Sequence, residues 1–409
     1  MPSEAAIRRL PVEILSEIFF QCGKKQDGCR PRLIATVCRR WRDVALSTSK
    51  LWRNIHLDGE QINVESLDSL LTLQLQRSGE APLSIVFYEP RDITSSLRLL
   101  LAVSHRWQSL DLWMLTDGQS ELFQTSSSRF PMLKKFEMHG ISSLELGNLY
   151  RPLPLLRELT LDLNIAIPHP LPWTRLAKCT IRSSSAADVL NVLRSAPEIV
   201  ELSVFNCHSY IGECRAITSP IRSLRISSCS RGFSRDFLGH LTIPELQELI
   251  LDDFPDSTPI LSFLSGSAAQ ITHLDLTGFA VSERDLIALL RLTDAVDHLK
   301  INWPPDVHSD TFMEALTILP ANRRRPQLLL LPKLRELSIT GGLSCHNDVL
   351  LAMLQSRWPG LEVVELYYAG RTFFFDRAFD GLRKEGMKFT VLLDGPVDPF
   401  VGGEDKMSD

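Results

Sequence analysis

Apolar residues recur along most of the chain at a regular interval. Segments such as PLLRELTLDL at 154–163 and PELQELILDDF from 244 share the form L-x-x-L-x-L, and a proline precedes most copies. The first apolar position of successive copies falls at Trp107, Leu133, Leu156, Leu176, Ile199, Ile221, Leu246, Ile271, Val296, Leu334 and Leu361. Nine of the ten intervals are 20–27 residues and one is 38. This interval predicts a chain built from repeated structural units.

Each unit predicts one short strand and one helix. The second and third apolar residues of a copy lie two apart, so in a strand both point to the same side. Between the strands, segments such as 184–195, 282–292 and 347–358 carry leucine and isoleucine at helical spacing. Weaker copies begin at Trp52 and Leu83, and a last strand is predicted at 388–393. We therefore expect an α/β fold with parallel strands. An ordinary doubly wound α/β domain is the alternative.

The interval is similar to that of leucine-rich repeats, about 20–29 residues. This resemblance implies an α/β solenoid, in which a curved parallel sheet carries helices on its convex side. Residues that flank the strand leucines would then point to the concave face, because side chains alternate along a strand. Among these outward residues we expect those that bind a protein substrate: Phe205, Arg225, Ile250, His273, His298, Lys300 and Tyr367.

The N-terminal region follows a helical pattern instead. In LPVEILSEIFFQC at 10–22, apolar residues recur at helical spacing from Leu10, and Pro11 suits the first turn. The next segment, IATVCRRWRDVALSTSKLWRNIHL, predicts a second apolar stripe on a helix, formed by Ile34, Val37, Cys38, Trp41 and Ala45. About 45 residues are too few for a self-sufficient core. Either the rest of the chain covers the apolar surplus, as a cap on the repeats, or a partner protein does.

Three segments of this region closely resemble the F-box of many fungal proteins: LPVEILSEIF, VCRRWRDVA and LW. They also follow one another in the same order as in that motif. The resemblance covers residues 10 to about 55. It implies a three-helix module that binds the Skp-type adaptor of a cullin-RING ubiquitin ligase, with the repeats selecting substrates. The matching positions, which would bind the adaptor, are Leu10, Pro11, Ile14, Leu15, Ile18, Val37, Cys38, Trp41, Leu51 and Trp52.

These interpretations divide the chain into an F-box at 1–57, a leucine-rich-repeat domain at 58–393 and a flexible acidic tail at 394–409. The expected function is that of a substrate receptor in an SCF-type ubiquitin ligase, which needs no catalytic group of its own. The alternative is an interaction scaffold, in which the F-box-like segment only caps the repeats and recruits no ligase.

Composition and charge argue against several other classes. A net charge of -5 and a pI of about 6.1 do not favour a nucleic-acid partner. Eight scattered cysteines without a C-x-x-C pair favour reduced thiols in cytoplasm or nucleus. Charged residues interrupt the first 20 positions, and no apolar run reaches the roughly 18 residues of a membrane span. No nucleotide-binding, hydrolase or zinc-protease motif is present, so we expect neither enzymatic activity nor a cofactor.

Three local features deserve separate interpretations. His273 and His298 occupy equivalent positions of consecutive units and should lie close together, but no third ligand is evident, so we predict no metal site. Asp252 and Asp253 follow a strand, where paired acids usually form turns. The 38-residue interval contains PANRRRPQLLLLP at 320–332, which predicts a projecting loop. Its arginines are solvated, form a localisation signal, or contact an anionic partner.

Overall fold

A computed structural model of the chain describes residues 10–22, 31–58, 64–88, 94–113, 121–123, 129–140, 153–162, 174–209, 215–254, 257–266, 270–277, 282–303, 309–319, 329–341, 345–368 and 377–393. The chain divides into two compact units. Unit 1 comprises residues 1–182 with 195–198, and unit 2 comprises 183–194 with 199–409. Both are mixed α/β structures with parallel β-sheet, as the sequence predicts.

Unit 1 begins with helices and continues with strands. The helices are α1 (Val12–Cys22), α2 (Pro31–Val37), α3 (Arg39–Ser47), α4 (Val64–Ser78) and α5 (Thr94–Ala102), with 3-10 turns at Ser49–Trp52 and Ser104–Arg106. The strands are β1 (Asn54–Asp58), β2 (Leu83–Tyr88), β3 (Trp107–Trp113), β4 (Lys135–His139), β5 (Glu158–Asp162) and β6 (Lys178–Arg182). Each strand pairs in parallel with the next one along the chain. The strands predicted from Trp52 and Leu83 are therefore confirmed.

The prediction of one helix through Ile34 and Ala45 is wrong, because the structure has two. Cys38 separates α2 from α3 with extended backbone angles, φ -159 and ψ 169, and its Sγ accepts the N–H of Trp41 at 3.5 Å. The cysteine thus acts as an N-cap that starts a new helix. The break divides the predicted stripe: Ile34 is buried, whereas Val37 and Cys38 are exposed.

Unit 2 alternates strands and helices along its length. The helices are α6 (Ala186–Ser195), α7 (Arg231–Leu238), α8 (Ser257–Gly266), α9 (Glu283–Arg291), α10 (Asp310–Leu316), α11 (Asn347–Arg357) and α12 (Arg377–Lys384). The strands are β7 (Glu201–Phe205), β8 (Ile217–Thr218), β9 (Ser223–Ser227), β10 (Leu241–Thr242), β11 (Glu248–Asp252), β12 (His273–Leu276), β13 (His298–Trp303), β14 (Glu336–Gly341), β15 (Val363–Tyr368) and β16 (Lys388–Leu393).

The main sheet of unit 2 contains every one of these strands except β8 and β10, which form a separate parallel pair. In the main sheet the strands follow one another in chain order and all pairs are parallel. The sequence does not predict the β8–β10 pair, since each of its strands has only two residues. The helices predicted within 184–195, 282–292 and 347–358 are confirmed as α6, α9 and α11.

The apolar positions that mark the repeat form the core. All eleven of them, from Trp107 to Leu361, are at most 3% exposed. Along β5, Leu159 and Leu161 are buried, whereas Glu158 is exposed and Thr160 is half-buried. The same alternation recurs in β6 and β7. The predicted strand phase is therefore confirmed.

A recurring turn ends the strands of unit 2. Asn206, Ser228 and Asp253 each follow a strand directly and have positive φ angles of 47–52°. Each donates its backbone N–H to the carbonyl at the end of the next strand, for example Ser228 to Asp252 at 3.0 Å. Non-glycine residues adopt this left-handed conformation at an energetic cost, which the inter-strand hydrogen bond offsets. Asp253 is thus the turn-forming acid that the sequence predicts.

One buried cation lies beside the 38-residue interval. The Arg357 guanidinium is 5% exposed and donates to three backbone carbonyls: Leu316 at 2.6 Å, Leu331 at 2.8 Å and Leu330 at 2.5 Å. Burial lowers the pKa of Arg357 to about 10.

The arginine run at 323–325 and the tail at 394–409 lie outside the described residues. Within the described helices, none combines the length and hydrophobicity that a membrane crossing requires.

Candidate functional site

The N-terminal helices enclose a small apolar core. Leu15 and Phe19 of α1 pack with other buried residues of the segment, namely Ile34, Val44, Ala45, Leu51 and Trp52. The rings of Phe19 and Trp41 lie 4.8 Å apart, and the Trp52 indole N–H donates to the Ala45 carbonyl at 2.8 Å. Arg40 donates to the Leu10 carbonyl and so joins the start of α1 to α3. The core of this segment therefore contains only some of its apolar residues.

The same helices leave other apolar side chains in solvent. Val12, Ile14 and Ile18 of α1 are 47%, 49% and 42% exposed, and Leu33 and Val37 of α2 are 57% and 61% exposed. Ile14, Glu17, Ile18, Gln21 and Cys22 form one open surface along α1, here called the α1 surface. Exposed aliphatic side chains concentrated on one short segment are typical of a protein-binding surface. Val12 and Leu33 are not among the residues predicted to bind the adaptor. Their apolar character within this segment could have indicated them.

The predicted adaptor-binding residues therefore fall into three groups. Exposed side chains belong to Pro11, Ile14, Ile18, Val37 and Cys38; half-buried ones to Leu10 and Trp41; buried ones to Leu15, Leu51 and Trp52. The buried group stabilises the segment itself, so a partner would reach only the first two groups without rearrangement of the helices.

Trp52 also connects the helical segment to α4. The Arg77 guanidinium lies 4.5 Å from the Trp52 ring centroid, and the Gln74 side-chain amide donates to the carbonyls of Trp52 and Asn54 at 3.3 and 2.7 Å. Leu71 of the same helix is buried. The inner side of the segment thus packs on the following part of unit 1, while the outer side of α1 remains exposed.

The comparison with known families concerns this helical segment. Residues 7–58 match the F-box-like family model. The segment is an F-box-like domain. The match agrees with the resemblance of LPVEILSEIF, VCRRWRDVA and LW, and it supports an F-box protein. No curated protein matches the chain.

The predicted substrate-binding residues whose side chains the structure describes lie on the outward face of the sheet in unit 2. Strand register places Ser203, Arg225, Ile250, Asp275 and Lys300 in one row across five neighbouring strands. A second row begins at Glu201 and continues through Ser223, Glu248, His273, His298 and Glu336. Phe205 ends β7, and Tyr367 lies in β15 with its side chain outside the described residues. The structure therefore brings together the predicted residues from Arg225 to Lys300.

Charges on this face are partly paired. Arg225 lies 3.7 Å from Asp252 and over the Phe205 ring, 5.5 Å from its centroid. Lys300 lies 3.0 Å from Asp275. Pairs as exposed as these contribute little to folding. A cavity of about 360 Å³ is lined by Ile250, His273, His298 and Lys300 together with the carboxylates of Glu248, Asp275, Glu336 and Glu365. The acidic residues outnumber the basic ones along its walls.

His273 and His298 stack as their equivalent positions predict. Their ring centroids are 4.2 Å apart and the rings are inclined by 12°. Asp297, which the sequence prediction missed, lies 2.6 Å from His298 Nδ1, and Glu336 lies 3.3 Å from His298 Nε2. Both nitrogens of His298 therefore already face carboxylates. Asp297 directly precedes β13, and residues at this position do not belong to the apolar repeat pattern. The sequence therefore could not predict this contact.

Proposed function

We propose that the protein is a substrate-receptor subunit of an SCF-type, cullin-RING ubiquitin ligase. The observation that carries this proposal is the exposed apolar surface of the F-box-like domain, formed by Ile14 and Ile18 on the α1 surface and by Val37 on α2. Burying such side chains against an apolar partner is favourable. A Skp-type adaptor is the partner that the F-box-like match supports.

The remainder of the chain supplies the receptor surface in this proposal. We infer a leucine-rich-repeat solenoid from three properties together: the repeat interval, the parallel strands in chain order, and the recurring turn after the strands. The family match ends at residue 58, so this inference rests on the geometry of the units. The outward residues Phe205, Arg225, Ile250, His273, His298, Lys300 and Tyr367 are its proposed substrate contacts.

The proposed mechanism is positional. A receptor that holds a substrate near a ubiquitin-charged enzyme raises the effective concentration of the substrate lysine. Neither a catalytic residue nor a cofactor of this chain takes part. Partners are then the adaptor, the cullin-RING assembly reached through it and a protein substrate, without nucleic acid or membrane. Such an assembly acts in cytoplasm or nucleus.

A second function has its own observation. Trp52 packs the F-box-like domain against the rest of unit 1, as a cap on the repeats would. If capping were the only role, the protein would be an interaction scaffold that recruits no ligase. The two functions use different residues: capping uses Trp52, whereas adaptor binding uses Ile14 and Ile18 of α1.

The test is co-purification of the full chain with a Skp-type adaptor. Replacing Ile14 and Ile18 together by Asp should weaken adaptor binding by about 3 kcal/mol or more, roughly 100-fold, since each buried isoleucine contributes about 1.5–3 kcal/mol. The thermal unfolding midpoint should change little, because both side chains are already exposed.

A matched control replaces two exposed leucines on other helices of unit 1, Leu73 and Leu99, by Asp. This control should bind the adaptor like the wild type. Wild-type protein that fails to bind any Skp-type adaptor would favour the scaffold. Equal binding by the folded Ile14/Ile18 variant would exclude the α1 surface as the adaptor contact.

A further inference from the structure

Three side chains with metal-binding chemistry meet on the outward face of the sheet in unit 1. Asp111 of β3 is directly opposite Glu137 of β4, and His139 follows two residues later on the same face. His139 Nε2 lies 3.6 Å from Asp111 Oδ1 and 3.5 Å from Glu137 Oε2. The repeat pattern does not predict this group of three side chains, because Asp111 and Glu137 are 26 residues apart and match no metal-binding motif.

The histidine is buried and directed into the group. Its side chain is only 9% exposed, although it belongs to the outward side of the strand. Trp113 covers one face of the imidazole, with ring centroids 4.0 Å apart and an inclination of 18°. His139 Nε2 and Asp111 Oδ1 are both buried polar atoms that make no hydrogen bond. Buried polar atoms without a hydrogen bond are uncommon in folded proteins and call for a ligand or a specific role.

The two carboxylates are held close despite their like charges. One ligand atom from each of Asp111, Glu137 and His139 lies within 4.8 Å of the other two. Lys135 Nζ pairs with the other oxygen of Glu137, Oε1, and leaves Oε2 directed at His139. A positive ion between Asp111 and Glu137 would relieve their repulsion.

Two of the three spacings between these ligand atoms match the ligand shell of a small divalent ion. Metal–ligand bonds of about 2.0–2.2 Å in a tetrahedron place neighbouring ligand atoms about 3.3–3.6 Å apart. The two distances from His139 Nε2, 3.5 and 3.6 Å, fall in this range. We propose that Asp111, Glu137 and His139 bind a zinc-type divalent cation, with a fourth position open to water or to a ligand from a partner.

The surroundings fit such an ion. One imidazole with two carboxylates suits borderline ions such as Zn²⁺ better than Mg²⁺ or Ca²⁺, which take oxygen ligands. Asp162 Oδ2 lies 3.8 Å from His139 Nδ1, on the side of the ring opposite Nε2. A carboxylate in that position favours the tautomer whose Nε2 is available to a metal. The sequence predicts no metal site, and this proposal replaces that expectation.

The experiment titrates chelator-treated, full-length protein with Zn²⁺ alone and follows both calorimetric binding and the thermal unfolding midpoint. Wild type should bind one ion at this site and melt at a higher temperature with zinc. Glu137→Gln and Asp111→Asn preserve side-chain shape, so both variants should fold. Each should lower zinc affinity by about 100-fold or more, since even an outer-shell partner is worth 10–100-fold.

A histidine variant outside the three-residue group serves as the control, and Co²⁺ absorption reports the ligands directly. His105→Ala, at an exposed position in the same unit, should bind zinc like the wild type. The Co²⁺ spectrum should lack thiolate charge-transfer bands. Absence of a zinc effect on wild type, unchanged affinity in Glu137→Gln, loss of binding in His105→Ala, or a thiolate spectrum would each overturn the proposal.

Discussion

The exposed side of the F-box-like domain and the outward sheet face of unit 2 differ in chemistry. The first presents aliphatic side chains such as Ile14, Ile18 and Val37, none of which the domain core uses. The second presents mainly polar side chains beside Phe205 and Ile250, and its cations Arg225 and Lys300 each pair with a carboxylate on the same face. An apolar surface gains affinity from burial, whereas a polar surface gains mainly specificity from complementary charges. In the proposed function, the adaptor contact is common to a class of receptors, whereas the substrate contact is particular to one receptor. An apolar adaptor surface and a mainly polar substrate surface fit these two roles.

The largest expected effect tests the division of α1 into an inner and an outer side. Leu15→Ala should lower the free energy of unfolding by about 2–5 kcal/mol, because it opens a cavity in a closed core. Ile14→Ala should change it by no more than about 0.5 kcal/mol, as expected for an exposed position. Denaturant unfolding of both variants measures the difference. Similar losses would mean that the outer side also packs within the chain.

The second expected effect compares the contributions of a buried and an exposed arginine of unit 2 to the free energy of unfolding. Arg357→Met removes three charged hydrogen bonds and leaves buried carbonyls unpaired, so we expect a loss of about 3 kcal/mol. Arg225→Met removes an exposed ion pair and should cost at most about 1 kcal/mol. Thermal unfolding of the two variants under identical conditions compares them. A larger loss for Arg225 would show that the outward face contributes to stability.

The smallest expected effect concerns partner capture. Phe205→Ala combined with Arg225→Glu and Lys300→Glu changes three outward positions and no core leucine. If this face binds substrates, capture should weaken by about 2 kcal/mol or more, because an aromatic anchor is removed and two charges are reversed.

Proteins co-purified with the wild type and with this triple variant provide the measurement, and adaptor binding is its internal control. An unchanged set of co-purified proteins would exclude this face as the substrate contact. Loss of the adaptor from the folded variant would contradict the separation of the two surfaces.

Much of the fold was predictable because its strands and helices follow from local sequence patterns. Alternation within a strand depends on that strand alone, so Leu249 and Leu251 could be assigned to the core and Ile250 to the outward face from L-x-x-L-x-L. The break at Cys38 was not predictable, because the stripe from Ile34 to Ala45 is also compatible with one helix. The anchoring role of Arg357 depends on carbonyls up to 41 residues away, which no local pattern indicates.

The sequence by itself determined the repeat interval, the order and phase of the strands, and the apolar surplus of the first 52 residues, since each follows from periodicity along a short segment. Tertiary structure decided which side chains of that surplus are enclosed: Leu15, Leu51 and Trp52 are buried, and Ile14 and Ile18 are not. It also decided that Asp111, Glu137 and His139 meet. The physical reason is that burial and cross-strand register depend on how separate segments pack, and residues 26 positions apart become neighbours only when their strands pair.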